Sequence, residues 1–555
     1  MTKVSSEKIW WKEAVVYQIY PRSFKDSNND GIGDIRGIIS KLDYIHSLGI
    51  DVIWLCPVYD SPNDDNGYDI RDYYQVMTDF GTMNDFDDLL KGVHDRQMKL
   101  IMDLVPNHTS DEHNWFKEAK KAKDNPYRDY YIWQSAEKGN PPNNWPSFFS
   151  GSAWQYDDAT NEYYLHLFSK KQPDLNWDNP KVRAEIYKVM HFWFKKGIDG
   201  FRMDVVSLIS KPKGLPDTKS VNFTDIIAES YANGPAVHDY LKEMHEQVLS
   251  HYNCMTVGEG PGITLDNALH YVGKDRNELQ MIFHFGHMYI DNGPGGKYDP
   301  VDYDLVDMKR VFSQWDEKLA HEGWGSIFLG NHDFPRIVSR FGNDKEYWAE
   351  SAKLLAVLLL TMRGTPFLYQ GDEIGMTNVA FENIDDYRDI ETLNSWQTSL
   401  DSGVATAAML PLIHQQSRDN ARTPIQWSEE RNAGFSEADP WIKINPNFKE
   451  VNVANQENNN DSIFSFYKKM INYRKANKGL IYGDYTCLDE SDPEMYTFER
   501  LHEGAYFLIM LNFSDHSQTR EILNEHDLSL DFGNYKIPNT KSVFRPWEAK
   551  IFKKI

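Results

Sequence analysis

The chain has 555 residues, 41% hydrophobic and 14% aromatic, enough to bury a sizeable core and to exclude a disordered polypeptide. A net charge of −24 argues against nucleic acid or an anionic membrane as partner, since both present phosphate, but would not repel a neutral polyhydroxy ligand. No apolar signal core opens the sequence and no stretch reaches the ~18–20 apolar residues of a membrane span. The three cysteines, Cys56, Cys254 and Cys487, lack metal or disulfide spacing, so the cytoplasm is the expected location.

Residues 15–20, Val-Val-Tyr-Gln-Ile-Tyr, are β-branched and aromatic and stop at Pro21, which predicts a first strand. The loop after it puts side-chain oxygens on Asp26, Asn28, Asp30 and Asp34, with the Ile32 carbonyl filling the gap in the alternation. That spacing wraps one hard cation and predicts a structural calcium site. Gly37 stands where an EF-hand needs its closing Glu, so the loop is not of that type. Helical spacing over 38–48 ends at Gly49; residues 52–55 predict a second strand, 86–98 a helix, and 100–105 a third strand running into Pro106-Asn107-His108. Strands alternating with helices, with polar groups after each strand, are the winding of a parallel sheet.

The rhythm breaks at Thr109. To about Gln172 the chain is rich in Trp, Asn, Pro and Gly, too long for a structureless loop, and predicts an inserted small subdomain over 108–172 with short strands such as 163–168. Winding resumes with a helix at 182–195, a strand at 200–206, a helix at 237–249, strands at 255–259, 280–285 and 326–329, a buried helix at 347–362 and a strand at 365–369. Eight strands with intervening helices count out a (β/α)8 TIM barrel, assigned to 1–107 and 173–479. Residues 371–439 read as irregular, and 463–476 as a long helix. Short alternating runs such as 506–511 predict that 480–555 form a C-terminal all-β domain, a sandwich packed on the barrel.

Active sites of such barrels lie at the C-terminal strand ends. There the sequence offers Asp69, His108, Arg202 with Asp204, Glu259, and His332-Asp333. Singly, each has a plain structural explanation: Asp69 forms a turn, His108 is a satisfied core histidine, Glu259 is a helix N-terminal charge. Their shared rim is the signal. Two carboxylates facing one bond suit glycoside hydrolysis, one attacking the anomeric carbon and the other protonating the departing oxygen. Close carboxylates push one pKa up while an adjacent Arg keeps the other ionised. Asp204, beside Arg202, is the expected nucleophile and Glu259 the acid/base. Asp333 would steady the distorted ring, and His108 and His332 would donate to hydroxyls. No catalytic metal or cofactor is required.

Asp103-Leu-Val-Pro-Asn-His108, Gly200-Phe-Arg-Met-Asp204, Gly258-Glu259 and Asn331-His-Asp333 resemble the strand-end signatures of the α-amylase superfamily, glycoside hydrolase family 13. Gln172-Pro-Asp-Leu-Asn176, Ser417-Arg-Asp-Asn-Ala-Arg-Thr-Pro424 and Ser339-Arg-Phe-Gly-Asn-Asp344 resemble its oligo-1,6-glucosidase and α-glucosidase branch. The likeness runs from about Trp10 into the C-terminal domain. It implies an exo-acting, retaining α-glucosidase acting on small α-glucosides through a glycosyl-enzyme on Asp204. It further implies that Asp69 and Arg418 grip the outer hydroxyls of the terminal glucose, with Tyr68, Phe149, Phe168 and Gln172 lining the pocket. The Asp26–Asp34 loop is similar to the calcium loop of that branch. Val after the nucleophile is associated there with α-1,6 cleavage; here it is Val205, which points to isomaltose and isomalto-oligosaccharides. Gly260 and Phe334 depart from the larger residue and the Gln usual at those positions, on the side of the leaving sugar. Two rivals are a sucrose isomerase or transglucosidase of the same family, and a non-catalytic barrel of the transporter heavy-chain type. The first typically has a more basic, aromatic loop in place of 339–344; the second expects a membrane span and damaged carboxylates. A monomer or weak homo-oligomer is the expected assembly.

Overall fold

The computed structural model describes residues 9–522, 525–537 and 540–554. Eight parallel strands form one sheet: β1 (Val16–Ile19), β2 (Val52–Leu55), β3 (Lys99–Leu104), β4 (Gly200–Met203), β5 (Met255–Glu259), β6 (Met281–Phe283), β7 (Ser326–Ile327) and β8 (Thr365–Tyr369). Their order is β6-β5-β4-β3-β2-β1-β8-β7, and Ser326 Oγ donates to the Ile282 carbonyl at 2.7 Å across the remaining seam. This is the expected TIM barrel. Its strands are buried on both faces because helices cover the outside and side chains fill the inside, so runs such as Val52-Ile53-Trp54-Leu55 need no polar alternation.

Two features of β4 position the site. Arg202 pairs in register with Asp103 of β3, so an acid and a base from adjacent strands face each other. At the other end of β4, a Cβ on Gly200 would lie 2.0 Å from the Met255 carbonyl oxygen, so only glycine lets β4 and β5 approach this closely. The strand is shorter than the 200–206 expected. It ends at Met203, and Val205 turns into the left-handed region at φ +34°.

Helix bounds follow the caps. Asn179 and Gly197 bracket Pro180–Lys196, and the Thr82–Asp85 capping box starts Met83–Asp95. The apolar run in Trp348–Thr361 is a buried helix, as expected. The helix expected at 38–48 is two helices, Ile35–Ser40 and Leu42–Leu48, the first begun by the Asp34 carboxylate accepting from Gly37 N. Within 108–172 lies a three-stranded antiparallel sheet with Glu162–Leu165 between Trp133–Gln134 and Trp154–Asp157. The region 371–439 is more regular than its sequence reads. It carries helices Ile390–Asp401 and Thr406–Gln416, whose polar composition and internal Pro411 mask the helical period.

Beyond the barrel, Asp484–Cys487, Met495–His502, Ala505–Asn512, Ala549–Lys554 and Leu528–Gly533 form a five-stranded antiparallel sheet in that spatial order. Buried arginines stitch it to the barrel: Arg500 of its second strand donates to the Thr361 carbonyl, and Arg474 of the helix 463–476 to the Leu480 carbonyl (2.9 Å). All three cysteines are free. Among the described residues, no helix is long and apolar enough to cross a membrane.

Candidate active site

A cavity of about 660 Å³ opens at the C-terminal ends of the strands. Below its floor lies the Arg202 guanidinium, almost wholly buried. Its Nη1 bonds Asp103 Oδ1 and, at 2.8 Å, Asp204 Oδ1; its Nη2 lies 2.6 Å from Glu259 Oε2. Asp204 and Glu259, 55 residues apart in the chain, are thus held by two arms of one cation, on the same side of the cavity. Asp103 is fixed further by Trp54 Nε1 at 2.8 Å.

Three buried carboxylates around one guanidinium leave an excess of negative charge, which favours taking up a proton. Burial pushes Asp103 up to about 6, against the pull of Arg202. Asp204 is raised well above the ordinary carboxylate range by burial and by the Glu259 and Asp103 carboxylates, again against Arg202. The Arg202 guanidinium expected to favour ionised Asp204 is in place, and burial with the two neighbouring carboxylates acts against it. Desolvation outweighs one shared cation. The Val205 N–H donates to Glu259 Oε2 at 3.1 Å, which ties the acid to the residue after Asp204. A β-branched residue at positive φ carries strain of about 1–3 kcal/mol, and such strain collects at functional sites.

At the opposite end of the cavity two guanidiniums, rather than one, share the acids. Arg418 approaches Asp65 (3.2 Å), Asp333 (3.2 Å), Asp389 (2.6 Å) and Glu391 (3.4 Å), and Arg422 lies 3.0 Å from Asp333. Although burial acts the other way, His332, Arg418 and Arg422 hold Asp333 well below the usual carboxylate range. Asp389 is lowered similarly by Arg418 and Arg422. Asp65 keeps a raised value of about 7, because burial exceeds the pull of the two arginines. Burial lowers His108 to about 4 and His332 to about 3, so both rings are neutral near pH 7. His332 Nδ1 meets Gln18 Nε2 at 2.8 Å, which leaves the proton on Nε2, 3.1 Å from Asp333 Oδ2. Its ring stacks on Tyr68 at 5.2 Å.

Of the residues expected at the site, Asp204, Glu259, Asp333, His108, His332, Phe168, Arg418, Tyr68 and Phe149 line this cavity. Arg202 and Gln172 lie behind it. Gln172 Nε2 reaches Asp65 Oδ2 at 3.2 Å and His108 Nε2 at 3.3 Å, so it braces two lining residues. Asp69 does not reach the cavity. Its carboxylate turns into its own loop and accepts from Asp64 N (2.8 Å) and Asp65 N (3.0 Å), and Asp65 takes the place beside Arg418 expected for Asp69. Gly260 is not part of the wall either: a Cβ there would meet Ile263 Cδ1 at 2.4 Å. Phe334 does line the cavity.

Residues 18–483 match the alpha-amylase catalytic domain family. The chain belongs to the alpha-amylase family. Oligo-1,6-glucosidase of Bacillus cereus is 54% identical over 99% of this chain and 100% of its own length. Oligo-1,6-glucosidase of Halalkalibacterium halodurans is also 54% identical, over 98% of both chains. Among solved structures, an isomaltulose synthase variant from Erwinia rhapontici NX5, in complex with sucrose, superimposes with a TM-score of 0.95. It is 45% identical, with 98% of this chain and 99% of that one covered.

The strand-end motifs fall where alpha-amylase family membership places them, and two features of the site emerge only from the fold. One is the acids that sequence reasoning missed. Asp103 and Asp65 carry the clearest signals: Asp103 sits in register with Arg202, and Asp65 is in the acidic loop after β2. The other is the Asp26–Asp34 loop. Its donors are all hard oxygens, as calcium requires. The nearest cation is Lys25, whose Nζ donates to the Asp26 main-chain carbonyl at 2.8 Å and interacts electrostatically with Asp26 and Asp34. The side chains bond the loop's own backbone instead: Asp26 accepts from the Asn28, Asn29 and Gly31 N–H groups, and Asp34 from Ser27 and Gly37. No three acidic, His or Cys side chains converge at ligand distance among the described residues. The donor chemistry fits a hard cation, and holding one requires these side chains to turn inward.

Proposed function

We propose that this chain is an exo-acting, retaining α-glucosidase that releases glucose from the non-reducing end of short α-glucosides, with α-1,6 linkages preferred. The observation that carries this reading is the pair Asp204 and Glu259, bridged by Arg202 beside a cavity whose far end carries the Asp65–Arg418 ion pair. The terminal glucose sits at that end, its outer hydroxyls on Asp65 and Arg418, with His108 and His332 Nε2 donating to the ring substituents. Asp204 attacks the anomeric carbon while Glu259 passes its proton to the departing oxygen, and Glu259 then activates the water that releases glucose. Asp204 must be ionised to attack, and the Arg202 guanidinium at 2.8 Å favours that form. Asp333, held ionised, bears on the positive charge of the distorted ring.

The α-1,6 preference rests on Val205 at the cavity wall and on the oligo-1,6-glucosidases at 54% identity. A structural calcium ion in the Asp26–Asp34 loop is part of the same proposal, supported by its oxygen donors. A cytoplasmic location is supported by the three free cysteines, and a monomer or weak homo-oligomer completes the proposal. The test is a panel of isomaltose, panose, maltose, sucrose and dextran with identification of products. Glucose from isomaltose and panose ahead of maltose is expected, with little from dextran. Conversion of sucrose to an isomer, with isomaltose untouched, would replace this reading with the isomerase.

A further inference from the structure

The opposite face of the barrel holds a second cavity, of about 390 Å³, at the N-terminal ends of β5, β6 and β7. That end of such barrels ordinarily serves stability. Here one hydroxyl at the start of β8 fixes two aromatic walls: Thr365 Oγ1 accepts from Trp324 Nε1 at 3.0 Å and donates to the Trp11 carbonyl at 2.8 Å. The Lys12 ammonium lies over both rings, 4.7 Å from the Trp324 centroid and 5.4 Å from that of Trp11. Lys274 enters the same cavity from the turn after the helix Leu265–Val272, and His245 also lines it.

Two cations thus meet with no acid between them. Burial and the Lys274 ammonium hold Lys12 below the usual lysine range, and no carboxylate pulls it back. The other lysines that burial lowers, Lys25, Lys41, Lys211, Lys353 and Lys550, each have an Asp or Glu facing them. Glu278, the acid of the lining, is committed to His238 Nδ1 and Arg276 Nη2, at 2.8 Å each. Like charges left together at a partly buried wall are unfavourable, and a bound anion relieves them. In a chain of net charge −24 most of the surface repels anions, so such a place is the exception.

We propose that this cavity binds a phosphate dianion, free or as the head of a small phosphate monoester, between Lys12 and Lys274. The cavity is larger than one phosphate, and the indole of Trp324 with the apolar lining beside it leaves room for a monoester's body. The site is at the other end of the barrel from Asp204 and Glu259, so it stands or falls independently of the glucosidase reading.

The experiment titrates the full chain with inorganic phosphate and with phenyl phosphate by calorimetry at fixed ionic strength, in the wild type, Lys274→Gln and Lys12→Gln. Two charge-assisted contacts predict saturable binding with a Kd of about a millimolar, and loss of either ammonium should weaken it about tenfold. The rate on glucosides should stay that of the wild type in Lys274→Gln. Tighter binding of phenyl phosphate than of phosphate assigns the site to monoesters, and equal affinity assigns it to the free ion. No saturable heat in the wild type, or an unchanged affinity in Lys274→Gln, would overturn the site. If Lys12→Gln fails to fold, Lys274→Gln carries the test alone, since Lys274 is exposed at the cavity mouth.

Discussion

Two buried arginine clusters face each other across the catalytic cavity and treat their carboxylates in opposite ways. Around Arg202 one guanidinium serves Asp103, Asp204 and Glu259, and desolvation prevails, so Asp103 and Asp204 rise. Around Arg418 a second guanidinium, Arg422, joins in, and Asp333 and Asp389 fall. Acids that share one guanidinium thus rise with burial, whereas Asp333 and Asp389, each within reach of two, stay charged. The first kind suits bond making and proton transfer, and the second suits gripping hydroxyls and stabilising positive charge.

The comparison breaks most directly at the acids themselves. Asp204→Ala and Glu259→Gln should each lower kcat by roughly 10²–10⁴-fold while circular dichroism and melting stay near wild type; a rate near normal in either would reassign the roles. Arg202→Met leaves three buried acids around no cation and should cost about 3–5 kcal/mol of stability, read by denaturant melts, along with all measurable turnover. Arg418→Met should damage KM more than it damages the fold, since Arg422 remains beside Asp333 and Asp389.

A pH titration sharpens the contrast further. Asp65, pushed up to about 7 by burial, is the cavity-lining acid beside Arg418 that changes charge in the working range. KM should rise about tenfold as pH falls from about 8 to about 6, following protonation of a group titrating near 7. A KM flat across that interval would remove Asp65 from glucose binding. The sign for folding is opposite. A carboxyl bound more tightly to its proton in the native state than in the unfolded chain contributes stability that declines as pH rises from about 4 to about 7. Smaller effects are expected from Val205→Thr, which should shift the α-1,6 to α-1,4 ratio of kcat/KM roughly tenfold at most towards α-1,4. Smallest of all, a calcium chelator should lower the melting temperature by a few degrees with little change in rate at low temperature, as loss of a native-state ligand does.

The barrel was legible because each strand reads as a short apolar run followed by a polar end, and the winding order of such runs leaves few topologies. The acids at strand ends were legible for the same reason: a strand fixes where its last side chain points. Loops give no such guarantee. In Asp64-Asp65-Asn66-Gly67-Tyr68-Asp69, Asn66 and Gly67 both take positive φ, at 48° and 106°, and reverse the chain, so Asp65 faces the cavity and Asp69 faces its own backbone. No periodicity encodes that choice. The upward shift at Asp204 was equally hidden, because it depends on how many acids share one guanidinium in space.

Gly200 is at the far end of β4 from Asp204, and its neighbour Met255 begins β5, which ends on Glu259. Any larger residue at position 200 would wedge these two strands apart at their base, and a rigid strand transmits a tilt along its length. The distance across which a sugar is attacked on one face and released on the other is therefore gauged by an atom that is missing at the bottom of the barrel, out of sight of the chemistry.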